Sequence, residues 1–126
     1  MKQVALSIAS NVAEGRENMA AALTWLGGIL KNLRHSTFYT TVALSGKSTY
    51  LNAVAMGYCD MPCEALSALL KEYEKQAGRT PQMRALKLVP IDIDIVVYDG
   101  STLRPRDFGE DFFQKGWKEL ELFLEL

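Results

Sequence analysis

Residues 88–99 alternate charged and β-branched side chains, and this stretch constrains the fold more than any other part of the chain. Successive side chains of a β-strand point to opposite faces, so Asp92 and Asp94 should share one face while the neighbouring isoleucines share the other. Two like charges in an apolar strand repel each other unless a cation lies between them, and Mg²⁺ favours one or two carboxylates together with substrate phosphates. The stretch therefore predicts a metal site, and its alternative is the charged face of an exposed edge strand.

Length and charge narrow the class of protein. The chain has 126 residues and 48% hydrophobic composition, which predicts one domain over residues 1–126 with a substantial core. A formal net charge of -1 gives no overall field for nucleic acid or a membrane, so any anion site must be local. No apolar run is long enough to span a membrane and no signal peptide is evident, so we expect a cytoplasmic protein.

Two short motifs favour ordinary interpretations. Residues 45–48 read Ser-Gly-Lys-Ser, but the upstream glycine of a phosphate loop is missing and an apolar strand follows, so they predict a turn. Cys59 and Cys63 are expected to be reduced thiols, with a zinc or disulfide role as the alternative.

Apolar spacing predicts four strands and three helices. Strands are predicted at residues 3–9, 35–44, 50–58 and 88–99, the third broken by Gly57. Helices are predicted at residues 16–33, from an Asp60 N-cap to Gly78, and at residues 112–126. Residues 79–87 and 100–109 are expected to be loops. This order predicts an α+β fold, a ferredoxin-like βαββαβ antiparallel sheet with helices on one face and an appended C-terminal helix.

Cations cluster near the aspartates in the sequence. Arg79, Arg84 and Lys87 precede the aspartate strand, and Arg104 with Arg106 follows it. Asn11 and Asn52 add polar groups at or near predicted strands. Carboxylates for metal ions and cations for phosphates are what phosphoryl-type transfer requires, so this set points to a nucleotide substrate.

At this point the chain resembles the 6-hydroxymethyl-7,8-dihydropterin pyrophosphokinases of folate biosynthesis. The resemblance covers most of the chain and rests on Ser10-Asn11, Ser36-Thr37-Phe38-Tyr39, Tyr50-Leu51-Asn52-Ala53, Glu74 with Gly78-Arg79, and Asp92-Ile93-Asp94. The last of these is similar to the family's Asp-Leu-Asp motif, and its spacing from Gly78-Arg79 is the one that the family shows.

The resemblance implies a set of ligands and roles. Asp92 and Asp94 would hold two Mg²⁺ ions that bridge the ATP phosphates, with Arg79 and Arg84 as further catalytic residues. The resemblance assigns nucleotide binding to Glu74, Lys87, Arg104 and Arg106. It assigns binding of the hydroxymethyl dihydropterin to Asn52, Tyr50, Thr41, Leu44 and Asn11, with Trp117 or else Phe113 stacking on the ring. Enzymes of this class transfer the β,γ-pyrophosphate of ATP to a hydroxymethyl oxygen and release AMP.

The chain also departs from the family pattern in the loop before the aspartates. Pro81 stands where the family has an arginine, and residues 86–89 replace its Trp-Gly-Pro-Arg run. Lysine is a point charge and cannot supply the bidentate fork of an arginine, so we expect slow turnover. The alternatives are a non-catalytic relative that binds pterin or nucleotide, and a ferredoxin-like interaction module. The sequence does not indicate an oligomeric state.

Overall fold

The computed structural model describes residues 1–43, 46 and 48–124 of the protein. In chain order the elements are β1 (Lys2–Ser10), α1 (Gly15–Gly27), β2 (Lys31–His35), β3 (Tyr39–Val42), β4 (Thr49–Cys59), α2 (Cys63–Gln76), α3 (Pro81–Ala85), β5 (Asp92–Tyr98), β6 (Ser101–Thr102), α4 (Pro105–Phe108) and α5 (Asp111–Leu124). Within those residues, no helix has the length and apolar character needed to cross a membrane. Ser45 and Lys47 of the predicted turn, and residues 125–126 of the predicted last helix, lie outside the described residues.

Six strands form one antiparallel sheet in the order β2-β4-β1-β5-β6, with β3 pairing with the first part of β4. The central strand β1 pairs with β4 on one side and with β5 on the other. Ser7 therefore lies between Val54 and Asp94 in the sheet. The predicted α+β class with an antiparallel sheet is confirmed.

Different helices cover the two faces of the sheet. Residues of α1 and α2 share the larger core with Leu6 and Ile8 of β1 and with Ile93 of β5. The predicted C-terminal helix is present as α5 and packs on the opposite face, where Phe113 joins Val54 in a second, smaller core. Helices therefore lie on both faces of the sheet, and α5 leaves the aspartate end of its face open.

The first helix is shorter than its apolar spacing predicts. It ends at Gly27, and the chain then forms the edge strand β2 instead of continuing as helix to residue 33. Glycines in a helix cost about 1 kcal/mol each relative to alanine, whereas burying a leucine side chain gains about 1.5–3 kcal/mol. Leu30 turns into the core and is 3% exposed. A Cβ on Gly57 would lie 2.9 Å from the Leu30 Cβ, so Gly57 admits this leucine and continues β4 rather than breaking it as predicted.

The predicted strand at residues 35–44 is divided into two. Residues 36–38 leave the regular ladder, because the buried Ser36 hydroxyl accepts the Val54 N–H at 2.9 Å and donates to the Thr37 carbonyl at 2.8 Å. As a result, β2 and β3 pair with different parts of β4.

Three further predictions about local structure are wrong. Asp60 does not cap α2: its side chain is 78% exposed, and Pro62, with φ -59°, occupies the cap position. The expected loop at residues 79–87 contains α3, where the Thr80 hydroxyl accepts the Met83 N–H at 3.2 Å. The segment at residues 100–109 likewise contains β6 and α4.

Candidate functional site

Asp92 and Asp94 lie on the face of the sheet opposite to α1 and α2. Ile93 between them is fully buried in the core beneath those helices, as the alternation predicts. The side chains of the two aspartates are 29% and 19% exposed, and both are ion-paired. They are therefore not the solvated charges of an exposed edge strand.

Three cations from different segments contact these carboxylates. Arg79 follows α2, and its Nη1 lies 2.7 Å from Asp92 Oδ1. Lys71 of α2 places its Nζ 3.3 Å from Asp94 Oδ1, and Arg104 before α4 places its Nη1 3.9 Å from the same oxygen. These positive charges offset the repulsion between two neighbouring carboxylates.

Glu74 fixes the position of α2 relative to β5. This residue is only 3% exposed. Its Oε2 accepts the backbone N–H of Ile93 at 2.8 Å and the Lys71 ammonium at 3.3 Å, while its Oε1 accepts Arg79 at 2.9 Å. Because Ile93 lies between the two aspartates, the same carboxylate that orients the two cations also holds the aspartate strand.

This geometry shifts the pKa values of Asp94 and Lys71. Burial and then the charge of Asp92 raise the pKa of Asp94, and Lys71 and Arg104 only partly oppose this. Burial would lower the pKa of Lys71, but Asp94, Glu74 and Asp92 together raise it. The lysine is therefore charged, and Asp94 ionises less readily than an ordinary aspartate.

A cavity of about 850 Å³ opens on one side of the aspartates. Its charged lining residues are the cations Lys71, Lys75, Arg79, Arg84 and Arg104 and the carboxylates Glu74, Asp92 and Asp94. Positive groups facing a cavity attract phosphates, so this cavity suits a polyphosphate.

A second cavity of about 360 Å³ lies against the same aspartates. Its lining includes Thr41, Tyr50, Asn52, Val89 and Phe112, and it shares Arg79, Asp92, Asp94 and Arg104 with the larger cavity. Such a mixture of aromatic and polar groups suits a flat heterocycle. The two carboxylates therefore stand where two cavities of different chemistry meet.

Asn52 is 2% exposed on β4 and is held in place by its neighbours. Its Nδ2 donates to Thr41 Oγ1 at 2.7 Å and to the Tyr50 carbonyl at 3.0 Å. The structure thus brings together three residues to which the family resemblance assigns pterin binding. A fourth, Leu44, lies outside the described residues.

Phe112 reaches the smaller cavity, whereas Trp117 does not line it. Trp117 packs against Phe108 and Phe113, with ring centroids 5.4 and 5.7 Å away. Tyr39 fixes the start of α5, because its hydroxyl donates to the Phe112 carbonyl at 2.6 Å and accepts the Gly116 N–H at 3.1 Å. Phe112 was missed at the sequence level, since a run of aromatics does not reveal which ring faces a cavity.

Asn11, Lys87 and Arg106 line neither cavity. The Asn11 amide instead joins the ends of two segments: its Nδ2 donates to the Lys87 carbonyl at 2.9 Å, and its Oδ1 accepts the Val89 N–H at 2.6 Å. Lys71 was also missed at the sequence level, although its position three residues before Glu74 on a predicted helix places the two side chains on one face.

The donor set at the aspartates fits magnesium. No group of three or more His, Cys, Asp or Glu side chains within residues 1–43, 46 and 48–124 could hold a metal ion. A dedicated zinc or calcium site needs such a group, whereas Mg²⁺ is held by one or two carboxylates plus phosphate oxygens and water. Cys59 and Cys63 are both free cysteines in this structure.

Comparison with known proteins gives two findings. The profile of the 7,8-dihydro-6-hydroxymethylpterin-pyrophosphokinase family matches residues 5–122. The chain is also similar to the folate synthesis bifunctional protein of Arabidopsis thaliana, with 29% identity over 100 residues, which cover 77% of this chain and 21% of the relative. The chain thus matches about a fifth of the length of that curated relative.

Proposed function

Because the chain belongs to the 7,8-dihydro-6-hydroxymethylpterin-pyrophosphokinase family, we propose that it transfers pyrophosphate from ATP to 6-hydroxymethyl-7,8-dihydropterin in folate biosynthesis. In this reaction the hydroxymethyl oxygen attacks the β-phosphorus of ATP. The bond from that phosphorus to the oxygen that links it to the α-phosphorus breaks, the hydroxyl proton is lost, and AMP leaves.

One observation carries the proposal: Asp92 and Asp94 line both a cationic cavity and an aromatic, amide-lined cavity. A transfer between two substrates needs a shared boundary at which the reacting atoms meet. We also propose that the sheet is of the ferredoxin-like βαββαβ type, because its strand order β2-β4-β1-β5 is compatible with that connection.

We assign the larger cavity to ATP. Arg79, Arg84 and Arg104 would bind its phosphates, and Asp92 with Asp94 would hold two Mg²⁺ ions. Bound Mg²⁺ supplies charge neutralisation for the transferred group. Glu74 is buried and fully engaged with protein groups, so in this proposal it positions Arg79 and the aspartate strand instead of touching the nucleotide.

We assign the smaller cavity to the dihydropterin. Asn52, Thr41 and Tyr50 would orient the heterocycle, and Phe112 would cover one side of it. Aromatic side chains form offset stacks with flat rings. They also exclude water, so that water does not compete with the hydroxymethyl oxygen for the β-phosphorus.

The test is AMP release from ATP in the presence of Mg²⁺ and the dihydropterin. Asp92→Asn and Asp94→Asn should each abolish AMP release while the fold persists, because a lost metal ligand leaves phosphate charge uncompensated. Asp99→Asn is the matched control, since Asp99 is an exposed residue directly after the same strand. Absence of AMP with the wild-type protein, or wild-type rates in the two variants at saturating Mg²⁺, would overturn the proposal.

A further inference from the structure

Lys71 is the most weakly held of the three cations at the aspartates. Arg79 makes bonds of 2.7 and 2.9 Å to two carboxylates, and Arg104 is paired through its Nε with Asp107. Lys71 makes two contacts of 3.3 Å, and its side chain is 50% exposed. Its two carboxylate partners are mostly buried, but half of the lysine side chain is exposed, so water can replace the contact with Asp94 when the ammonium leaves.

Release of Lys71 would leave no buried charge without a partner. Glu74 keeps Arg79 and the Ile93 N–H, and Asp94 keeps Arg104. The position that Lys71 occupies, however, conflicts with a divalent cation on Asp94. Its charge lies 3.3 Å from Asp94 Oδ1, and it would repel a divalent cation held by the same carboxylate at similarly short range.

Lys71 also lines the 850 Å³ cavity that we assign to ATP. An ammonium on a flexible stem is a point charge without fixed directionality, so it can follow phosphate oxygens whose positions change. The two other close cations lack this freedom, since both guanidinium groups are fixed by carboxylates of the protein.

We propose that Lys71 is an exchangeable counter-ion, which rests on Asp94 in the free protein and moves to the polyphosphate when a divalent metal ion occupies the aspartates. This inference rests on the proposed function. It gives Lys71 opposite effects on the affinity of two binding steps. The ammonium opposes the metal ion when the nucleotide is absent, and it stabilises the complex of metal and nucleotide.

Lys71→Met tests the exchange, because methionine keeps most of the stem and removes the charge. Mn²⁺ binding to the nucleotide-free protein, measured by the paramagnetic resonance signal of free Mn²⁺, should become about threefold to tenfold tighter. Binding of the Mg²⁺ complex of α,β-methylene ATP, measured by calorimetry, should become about tenfold weaker through loss of one charge-assisted contact. Lys71→Arg should restore most of the nucleotide affinity.

Lys75→Met is the matched control. Lys75 lies one turn further along α2 and lines the same cavity, but it contacts neither aspartate. This variant should keep the wild-type affinity for Mn²⁺ within about twofold, since exposed charges at greater separation are screened. An equal gain in Mn²⁺ affinity in Lys75→Met would show that the overall positive charge of the cavity, and not Lys71 in particular, opposes the metal ion. This result would overturn the exchange.

Other outcomes also overturn it. Weaker or unchanged Mn²⁺ binding by a folded Lys71→Met protein would show that Lys71 does not oppose the metal. Failure of both the wild-type and the Lys71→Met protein to bind Mn²⁺ would show that the aspartates hold no metal ion without nucleotide. Unchanged affinity for the nucleotide analogue would show that Lys71 does not reach the phosphates. The analogue cannot release AMP, so these measurements are independent of turnover. A wild-type protein that binds both ligands but forms no AMP would refute the proposed reaction and leave the exchange standing.

Discussion

Glu74 should contribute more to stability than any exposed carboxylate on α2, because three groups depend on it. It accepts the Ile93 N–H at 2.8 Å, Arg79 at 2.9 Å and Lys71 at 3.3 Å, and it is 3% exposed. Glu74→Ala removes all three bonds at once. The effect differs for each group, since their exposure and remaining partners differ.

The largest loss comes from the backbone. The Ile93 N–H would be left in a buried strand without its acceptor, which costs about 1–3 kcal/mol. Arg79 keeps Asp92 and Lys71 keeps Asp94, and their side chains are 27% and 50% exposed, so each lost ion pair adds at most about 1 kcal/mol. Together these contributions predict a loss of about 1–5 kcal/mol in the free energy of unfolding.

Glu74→Gln separates the two contributions. Its amide oxygen can still accept the Ile93 N–H, so the loss should be smaller, at most about 2 kcal/mol from the charged partners alone. Urea unfolding followed by circular dichroism measures both variants. Glu72→Ala is the control, because Glu72 is an exposed residue of the same helix, and it should change stability by less than about 0.5 kcal/mol. A Glu74→Ala protein within that range of wild type would refute the view that Glu74 holds α2 to the aspartate strand.

Two further predictions concern the walls of the site. Burial and Asp92 raise the pKa of Asp94 above its unfolded value, so the folded state binds this proton more tightly and stability falls as pH rises through that pKa. Asp94→Asn should therefore raise the urea midpoint at pH 7. The gain should disappear below about pH 4, where the wild-type aspartate is protonated in the folded and the unfolded state. A variant whose midpoint at pH 7 lies below that of wild type would contradict this prediction. Tyr39→Phe removes the hydroxyl that fixes the Phe112 carbonyl, a loss of about 0.5–1.5 kcal/mol that should appear as weaker dihydropterin binding by calorimetry. The pKa of Tyr39 is raised to about 12 by burial, so this effect should not vary between pH 6 and about pH 9. Unchanged pterin affinity in a folded variant would show that Phe112 does not form the wall.

Local periodicity in the sequence was sufficient to predict several structural elements of this protein. The alternation at Asp92-Ile93-Asp94 places the carboxylates on one face and Ile93 in the core, because strand side chains alternate whatever the partner. The same reasoning located β1, β4 and the C-terminal helix. The class of fold followed from their order.

The tertiary structure decided which neighbours these elements acquire. Phe113 and Leu120 form the buried stripe of α5, and the partly buried Phe112 beside that stripe reaches the cavity, because α5 docks so closely that a Cβ on Gly116 would lie 2.6 Å from Val54. Helical spacing groups residues on one face but does not say how the helix is rotated against the sheet. The contacts of Lys71 with Asp94, 23 residues apart in sequence, likewise depend on how α2 lies beside β5. Such contacts are set by the packing of whole elements, and for that reason only the tertiary structure shows which cations stand against the two aspartates.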